Sequence, residues 1–306
     1  MTTQTDKTAL QKRIESGKSV VLAQVAPPAG GAGEAVRQTA RKFAGKVHAL
    51  GLTDNSRQVR MSAMAAASLV AAEGVEPLWH LVTRDRNRIA LVSDALGAQG
   101  LGVRNVLCTS GTHQTLGAFR AARNVFDIDS TQLIRLLANL PADGQAVGAR
   151  GFDSVAPFCL GGVASPCADP LELQVLRLCK KLTAGATFLV TAPIFDLDRF
   201  GAWWREVTRA GLHEKAAIIA GVRVLTTSDA ARAYAQQRPD PMIPAAVLER
   251  VTSAPAAGGR KAGIELACQT IEKLRGMSGL RGFDVCGDGD EEAALEVIAA
   301  SGLRIE

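Results

Sequence analysis

The sequence predicts an α/β protein, a (β/α)8 TIM barrel forming one domain over residues 1–306, with residues 1–17 as an N-terminal extension. Two observations point there. Eight short apolar runs recur along the chain, and segments with helical patterning separate them. Eight strand–helix units in a chain of this length close most simply into a barrel. A doubly wound sheet would need a point where the strand order reverses, and no such switch point is visible.

The runs cover residues 20–25, 48–53, 78–83, 105–110, 158–164, 188–194, 216–225 and 282–287. Most are rich in Val, Ile, Leu or Phe and are too short for helices. Continuous apolar runs suit parallel strands covered on both faces. Between them, 34–44 and 59–72 are amphipathic, and 89–101 carries Ile89, Leu91, Val92, Ala95 and Leu96 at helical spacing. Segments 132–140, 171–183, 197–210 and 230–237 follow the same pattern, 260–277 is the longest, and 291–301 is the last. Gly74, Gly102, Gly185, Gly211 and Pro239 punctuate segment ends, as helix stop signals do. Residues 254–259 are small and flexible in composition but too few to separate domains.

Composition is that of a globular protein, with 47% apolar and 21% charged residues. No apolar run is long enough for a membrane span. Residues 1–18 are polar with mixed charge and lack an apolar leader, so the expectation is a cytoplasmic protein with no membrane partner. The net charge of +5 is spread along the chain and aromatics are only 4%, which argues against nucleic-acid binding. The six cysteines form no C-x-x-C pair and the four histidines show no ligand spacing, so neither zinc, a disulfide framework nor an iron–sulfur centre is expected. An apolar face on the last long helices suits a homo-oligomer.

Barrel chemistry forms at the C-terminal ends of the strands. The polar residues there are Gln24, Thr53-Asp54-Asn55, His80, Thr83 to Asn87, Ser110 to Gln114, Thr191 and Asp196. Arg84-Asp85-Arg86-Asn87-Arg88 is the densest charged stretch. It reads either as an anion contact at a helix start or, by the usual preference, as a solvated first turn with local ion pairs. His80 alone is more often a satisfied strand-end histidine than a catalyst. No nucleophile elbow and no dinucleotide fingerprint is present. Gly97 to Gly102 reads G-A-Q-G-L-G and lies at a helix end, where glycine caps. The residues by themselves reach a barrel enzyme with an anionic ligand and do not name its reaction.

Several stretches in order carry a resemblance: Ala26-Pro27-Pro28, Gly51-Leu52-Thr53-Asp54-Asn55, His80-Leu81 with Arg84 to Ile89, and Gly102 to Leu107 leading into Ser110 to Gln114. Asn124 to Ser130, Ala184-Gly185-Ala186, Ile194-Phe195-Asp196 and Ala220-Gly221-Val222 follow. Over residues 18–305 the chain resembles the methylenetetrahydrofolate reductase family, in the short form of acetogenic bacteria. The resemblance implies a barrel oxidoreductase of one-carbon metabolism. In that family FAD takes a hydride from NAD(P)H and passes it to methylenetetrahydrofolate, giving methyltetrahydrofolate. It implies flavin contacts at Thr53, His80, Arg84, Gly111, Thr112, Asp129, Ser130, Arg177 and Lys181. It implies folate contacts at Gln24, His113, Gln114, Thr191 and Asp196, with Gln24 and Thr112 at the catalytic positions.

Three positions depart from the family. Gln24 stands where relatives carry the glutamate that acts as the acid opening the methylene bridge. A glutamine amide orients and hydrogen-bonds but releases no proton near neutral pH. Thr112 replaces an aspartate near the flavin. At about 4 Å and an effective dielectric of about 20, losing that charge favours a reduced, anionic flavin by up to about 4 kcal/mol before screening, which favours oxidation of methyltetrahydrofolate. Ala192 replaces a folate-contacting glutamine. A redox-inactive or flavin-independent folate-binding paralogue, or a methyltransferase partner, is therefore the alternative. A corrinoid-linked methyltransferase barrel would need a folate-pocket Asp/Asn set that the sequence does not supply.

Overall fold

The computed structural model describes residues 6–56, 58–141, 152, 155–236, 243–253 and 258–305. Its eight strands all pair in parallel and close in sequence order into a barrel. The first half runs α1 (Ala9–Glu15), β1 (Val20–Val25), α2 (Gly33–Phe43), β2 (Ala49–Leu52), α3 (Ala63–Ala72), β3 (Pro77–Val82), α4 (Arg88–Gly100), β4 (Asn105–Thr109) and α5 (Ser130–Asn139). The second half runs β5 (Cys159–Ala164), α6 (Leu171–Ala184), β6 (Phe188–Pro193), α7 (Leu197–Arg209), α8 (Leu212–Lys215), β7 (Ala217–Arg223), α9 (Ser228–Gln236), α10 (Ala245–Thr252), α11 (Gly259–Arg275), β8 (Gly282–Cys286) and α12 (Glu291–Ala300). Among the described residues, no helix is long and apolar enough to cross a membrane.

Alternate residues of each strand face two different cores, which is why the runs read as continuously apolar. Leu22, Leu78, Leu107, Phe188 and Ile219 fill the barrel, while Leu50, Trp79, Val106, Leu189 and Val285 face the helices. Each such side chain contributes roughly 1.5–3 kcal/mol on burial.

The N-terminal segment is part of this core. Leu10 and Ile14 of α1 join the barrel-interior cluster. The Thr8 hydroxyl donates to Asn105 Oδ1 at 2.6 Å at the start of β4, and Arg281 Nη2 donates to the carbonyl of Ile14 at 3.1 Å. The helix thus closes the N-terminal mouth of the barrel. The sequence reading missed it because seven residues give too few turns for a periodic signal. It missed α8 and α10 for the same reason, at four and eight residues. Helix α3 begins at Ala63, four residues after the predicted start at 59. Pro239 and residues 254–257, read as a helix stop and as part of a flexible stretch, lie outside the described residues.

Candidate functional site

The C-terminal mouth opens into a cavity of about 990 Å³ over β1, β2, β7 and β8. Its lining includes Gln24, Thr53, Thr112, His113, Arg223 and Cys286. Gln24 is in register with Gly51 on one side and Cys286 on the other.

His80 is buried in the barrel wall on β3. Burial alone lowers its imidazole pKa to about 4, so the ring is neutral at physiological pH. Its Nε2 lies 2.8 Å from where a Cβ on Gly51 would stand. Position 51 must be glycine for the ring to sit there. Gly111 meets a second such constraint: its φ is +81°, and a Cβ would come within 2.5 Å of Val82 Cγ1.

The dense charged stretch is paired internally. Arg84 is 6% exposed, and its fork grips Asp85 at 2.6 and 2.7 Å. Its remaining bonds go to the carbonyls of Thr112 at 2.9 Å and Asn55 at 3.0 Å. One guanidinium therefore ties together the loops after β2, β3 and β4. Arg86 pairs with Asp54 at 2.6 Å and Asp94 at 2.9 Å, Arg88 pairs with Asp127 at 3.0 Å, and Asn87 caps α4. Burial raises the pKa of Asp54, and the Arg86 charge opposes the rise.

Asp129 caps α5 through a reciprocal capping box with Gln132. The amide of Ser130 donates to Ser110 Oγ at 3.2 Å. Lys181 crosses from α6 to the end of β5, where Nζ donates to the carbonyl of Val163 at 2.5 Å. Burial lowers its pKa, while Arg177 and Asp129 act on it from nearby with opposite sign. Asp129 and Arg177 therefore each lie within electrostatic range of Lys181.

The folate-side residues separate. Gln24 and His113 line the cavity. Thr191 accepts from the amide of Gly221 at 2.9 Å, Asp196 caps α7, and Gln114 lies in a short 3-10 turn with Oε1 buried and unpaired. Ala192 is buried against Cys167.

Sequence reasoning missed Arg223, Cys286 and Asp284. Arg223 forms an ion pair with Asp288 and sits 4.4 Å above the centre of the Tyr234 ring. Asp284 is 6% exposed and lies in the barrel wall. Burial raises its carboxyl pKa to about 7. Among the described residues it has no hydrogen bond or ion pair. A signal was available: Asp284 is the one acidic residue within the eight strands.

Comparison with known proteins agrees with this architecture. A solved Clostridium thermocellum protein, described as an uncharacterized protein that binds two copies of 5-methyl-5,6,7,8-tetrahydrofolic acid, superposes with a TM-score of 0.66 at 11% identity, covering 95% of this chain and 96% of that one. At that identity the likeness speaks for the fold alone. Methylenetetrahydrofolate reductase 2 of Saccharomyces cerevisiae is 27% identical over 186 residues, covering 58% of this chain and 28% of that protein. The matched region is thus little more than a quarter of the relative's length. Residues 9–302 match the family described as methylenetetrahydrofolate reductase, and this chain belongs to that family.

Proposed function

We propose that this chain is a flavin-dependent methylenetetrahydrofolate reductase that interconverts methylene- and methyltetrahydrofolate, with FAD as cofactor and NAD(P)H as co-substrate. The observation that carries this reading is the cavity at the barrel mouth. Gln24, Thr53, Thr112 and His113, assigned to flavin or folate by family resemblance, line one space.

The residues present fit a flavin. Thr53 Oγ1 and Thr83 Oγ1, just beyond β2 and β3, are buried hydroxyls without a partner. Gly111 lets the backbone approach closely where a Cβ would clash. Lys181 lies within electrostatic range of Asp129, the N-cap of α5, and of Arg177, so two cations and a helix N-terminus are available to a diphosphate. Thr53, His80, Gly111 and Thr112 would hold the ring side. Asp129, Ser130, Arg177 and Lys181 would hold the phosphate side, with Arg84 fixing the loop between them.

A bound flavin would supply two-electron hydride transfer between the nicotinamide and the folate carbon. The chain's own residues orient and exclude. Gln24 hydrogen-bonds the pterin without titrating. Neutral His80 brings no positive charge to the mouth. Thr112 leaves the cavity without the family's negative charge, which favours the oxidative direction.

The second reading, a redox-inactive folate-binding paralogue acting alone or beside a methyltransferase, draws on one feature: Gln24 and Thr112 both face the cavity, and neither carries charge. Mass spectrometry of folates after incubation with methylenetetrahydrofolate, FAD and NADH or NADPH separates the two. Methyltetrahydrofolate formed in step with nicotinamide oxidation supports the reductase. Folate binding without conversion supports the paralogue.

A further inference from the structure

Position 24 cannot release a proton, yet opening the methylene bridge requires one. The barrel wall holds one carboxyl that could supply it. Asp284 lies on β8, where side chains alternate between the barrel and the helices. Val285 and Phe283 face the helices, so Asp284 and Cys286 face inward. Cys286 is in register with Gln24, and Asp284 is in register with Leu22. The carboxyl therefore sits one inward layer beneath Gln24 and Cys286, which line the cavity. Two residues along a strand span about 7 Å and adjacent strands lie about 4.8 Å apart, so the Asp284 carboxyl lies below the cavity lining, and an intervening water would have to carry the proton between it and a pterin held by Gln24.

The groups around Asp284 leave it free for this. On β1 its neighbours are Leu22 and Gln24, and on β7 they are Gly221 and Arg223. Arg223 pairs with Asp288 and stacks on Tyr234, with its buried Nε left without a hydrogen bond. On its own strand, Cys286 is a buried thiol whose pKa is raised. Across the barrel, His80 is neutral. A carboxyl buried without a partner destabilises a fold unless it stays protonated, and a carboxyl that titrates near the operating pH is matched to general-acid work.

Resting on the reductase reading, we propose that Asp284 is the general acid of this enzyme, taking over from β8 the proton transfer that relatives place on β1. In the reductive direction the bond between the methylene carbon and N10 breaks. N10 keeps the electron pair and takes the Asp284 proton, and the N5-methylene iminium accepts a hydride that comes from NAD(P)H, which a bound flavin would relay. The carboxylate regains its proton from solvent through the cavity. In the oxidative direction the methyl group loses a hydride, whose final acceptor is NAD(P)+, the Asp284 carboxyl releases its proton to solvent, and N10 closes on the iminium while the N10 proton passes to the Asp284 carboxylate.

The test compares wild type, Asp284→Asn and the double variant Gln24→Glu with Asp284→Asn, all loaded with FAD. Methyltetrahydrofolate affinity by equilibrium dialysis should stay within about two-fold in Asp284→Asn, while turnover falls about 100-fold or more, the range expected for a lost general acid. Adding the Gln24→Glu change should restore at least about ten-fold, with the pH profile moved toward an ordinary carboxyl. Infrared spectra of the wild type should show a protonated carboxyl band at pH 6 that is absent from Asp284→Asn, which keeps the assignment testable if a variant misfolds. An Asp284→Asn enzyme as fast as an active wild type, or no such band, overturns the role of Asp284. A wild type with no turnover under any condition overturns the reductase reading, and this assignment falls with it.

Discussion

The imidazole of His80 occupies the space that a side chain on Gly51 would fill, with Nε2 2.8 Å from the position of the missing Cβ. The same Cβ would stand 3.3 Å from the carbonyl of Ala23, so the wall of β1 blocks escape on the other side. Gly51→Ala must therefore push the ring out of the barrel wall. The expected cost is about 1–3 kcal/mol, the usual range for overpacking, read as a lower urea midpoint. Retained flavin should fall with it. An unchanged midpoint would mean that the ring has room to move.

His80 and Asp284 give the fold opposite pH dependences. His80 titrates at about 4 in the folded state against about 6.5 unfolded. Its stabilisation is complete above pH 6.5 and is lost as pH falls toward 4, by up to about 3 kcal/mol. Asp284 titrates at about 7 when folded against about 4 unfolded. Between those values the unfolded chain has released a proton that the folded chain still holds, so stability falls as pH rises and levels off above 7. Asp284→Asn should therefore equal wild type near pH 4 and exceed it at pH 8 by up to about 4 kcal/mol. Urea unfolding at several pH values measures both. An Asn variant less stable than wild type at pH 8 would mean that the carboxylate is satisfied in the fold.

Arg84 holds the loop that carries Thr112 by a bond to its carbonyl and holds the loop after β2 through Asn55. Arg84→Ala should cost about 1–3 kcal/mol, the range for losing hydrogen bonds to charged groups, because Asp85 keeps partial access to solvent. It should also speed amide exchange at residues 111–113 more than in the barrel strands. Uniform exchange across the chain would contradict a local tie.

Thr112 lines the cavity without charge. Thr112→Asp should lower the potential of bound flavin by roughly 30 mV, which for two electrons is about 1.4 kcal/mol after screening. Photoreduction against a reference dye measures it. A potential unchanged or higher in the variant would remove the argument for a preferred oxidative direction.

The barrel was legible because strand and helix periods alternate cleanly. All eight apolar runs overlap the observed strands to within a few residues. The site was less legible, for reasons visible in particular residues. Arg84, Arg86 and Arg88 read in sequence either as an anion contact or, by preference, as a solvated turn with local ion pairs; each is indeed paired with a carboxylate, though Arg84 is buried and only its partner Asp85 is a chain neighbour. Two of those carboxylates, Asp54 and Asp127, lie more than thirty positions away in the chain. Such pairing depends on loop geometry that spacing alone does not encode. Lys181, a flavin contact by resemblance, turns inward to the end of β5, and its spacing on the helix gives no sign of that direction. Asp284 is legible in principle, because an acid in an otherwise apolar strand asks for a reason. It hides because Gly282 and Gly287 already dilute the apolar run of β8, and Asp288 and Asp290 follow closely enough for all three acids to read as loop polarity.

The measurement closest to the central claim is the anaerobic visible spectrum of the FAD-loaded, desalted protein before and after adding methyltetrahydrofolate. The account predicts retained flavin peaks that bleach on addition, because the barrel mouth binds both molecules and works without an acid at Gln24 or a charge at Thr112. Peaks that persist unchanged, or no flavin retained after desalting, would contradict it and leave a folate-binding barrel without redox chemistry.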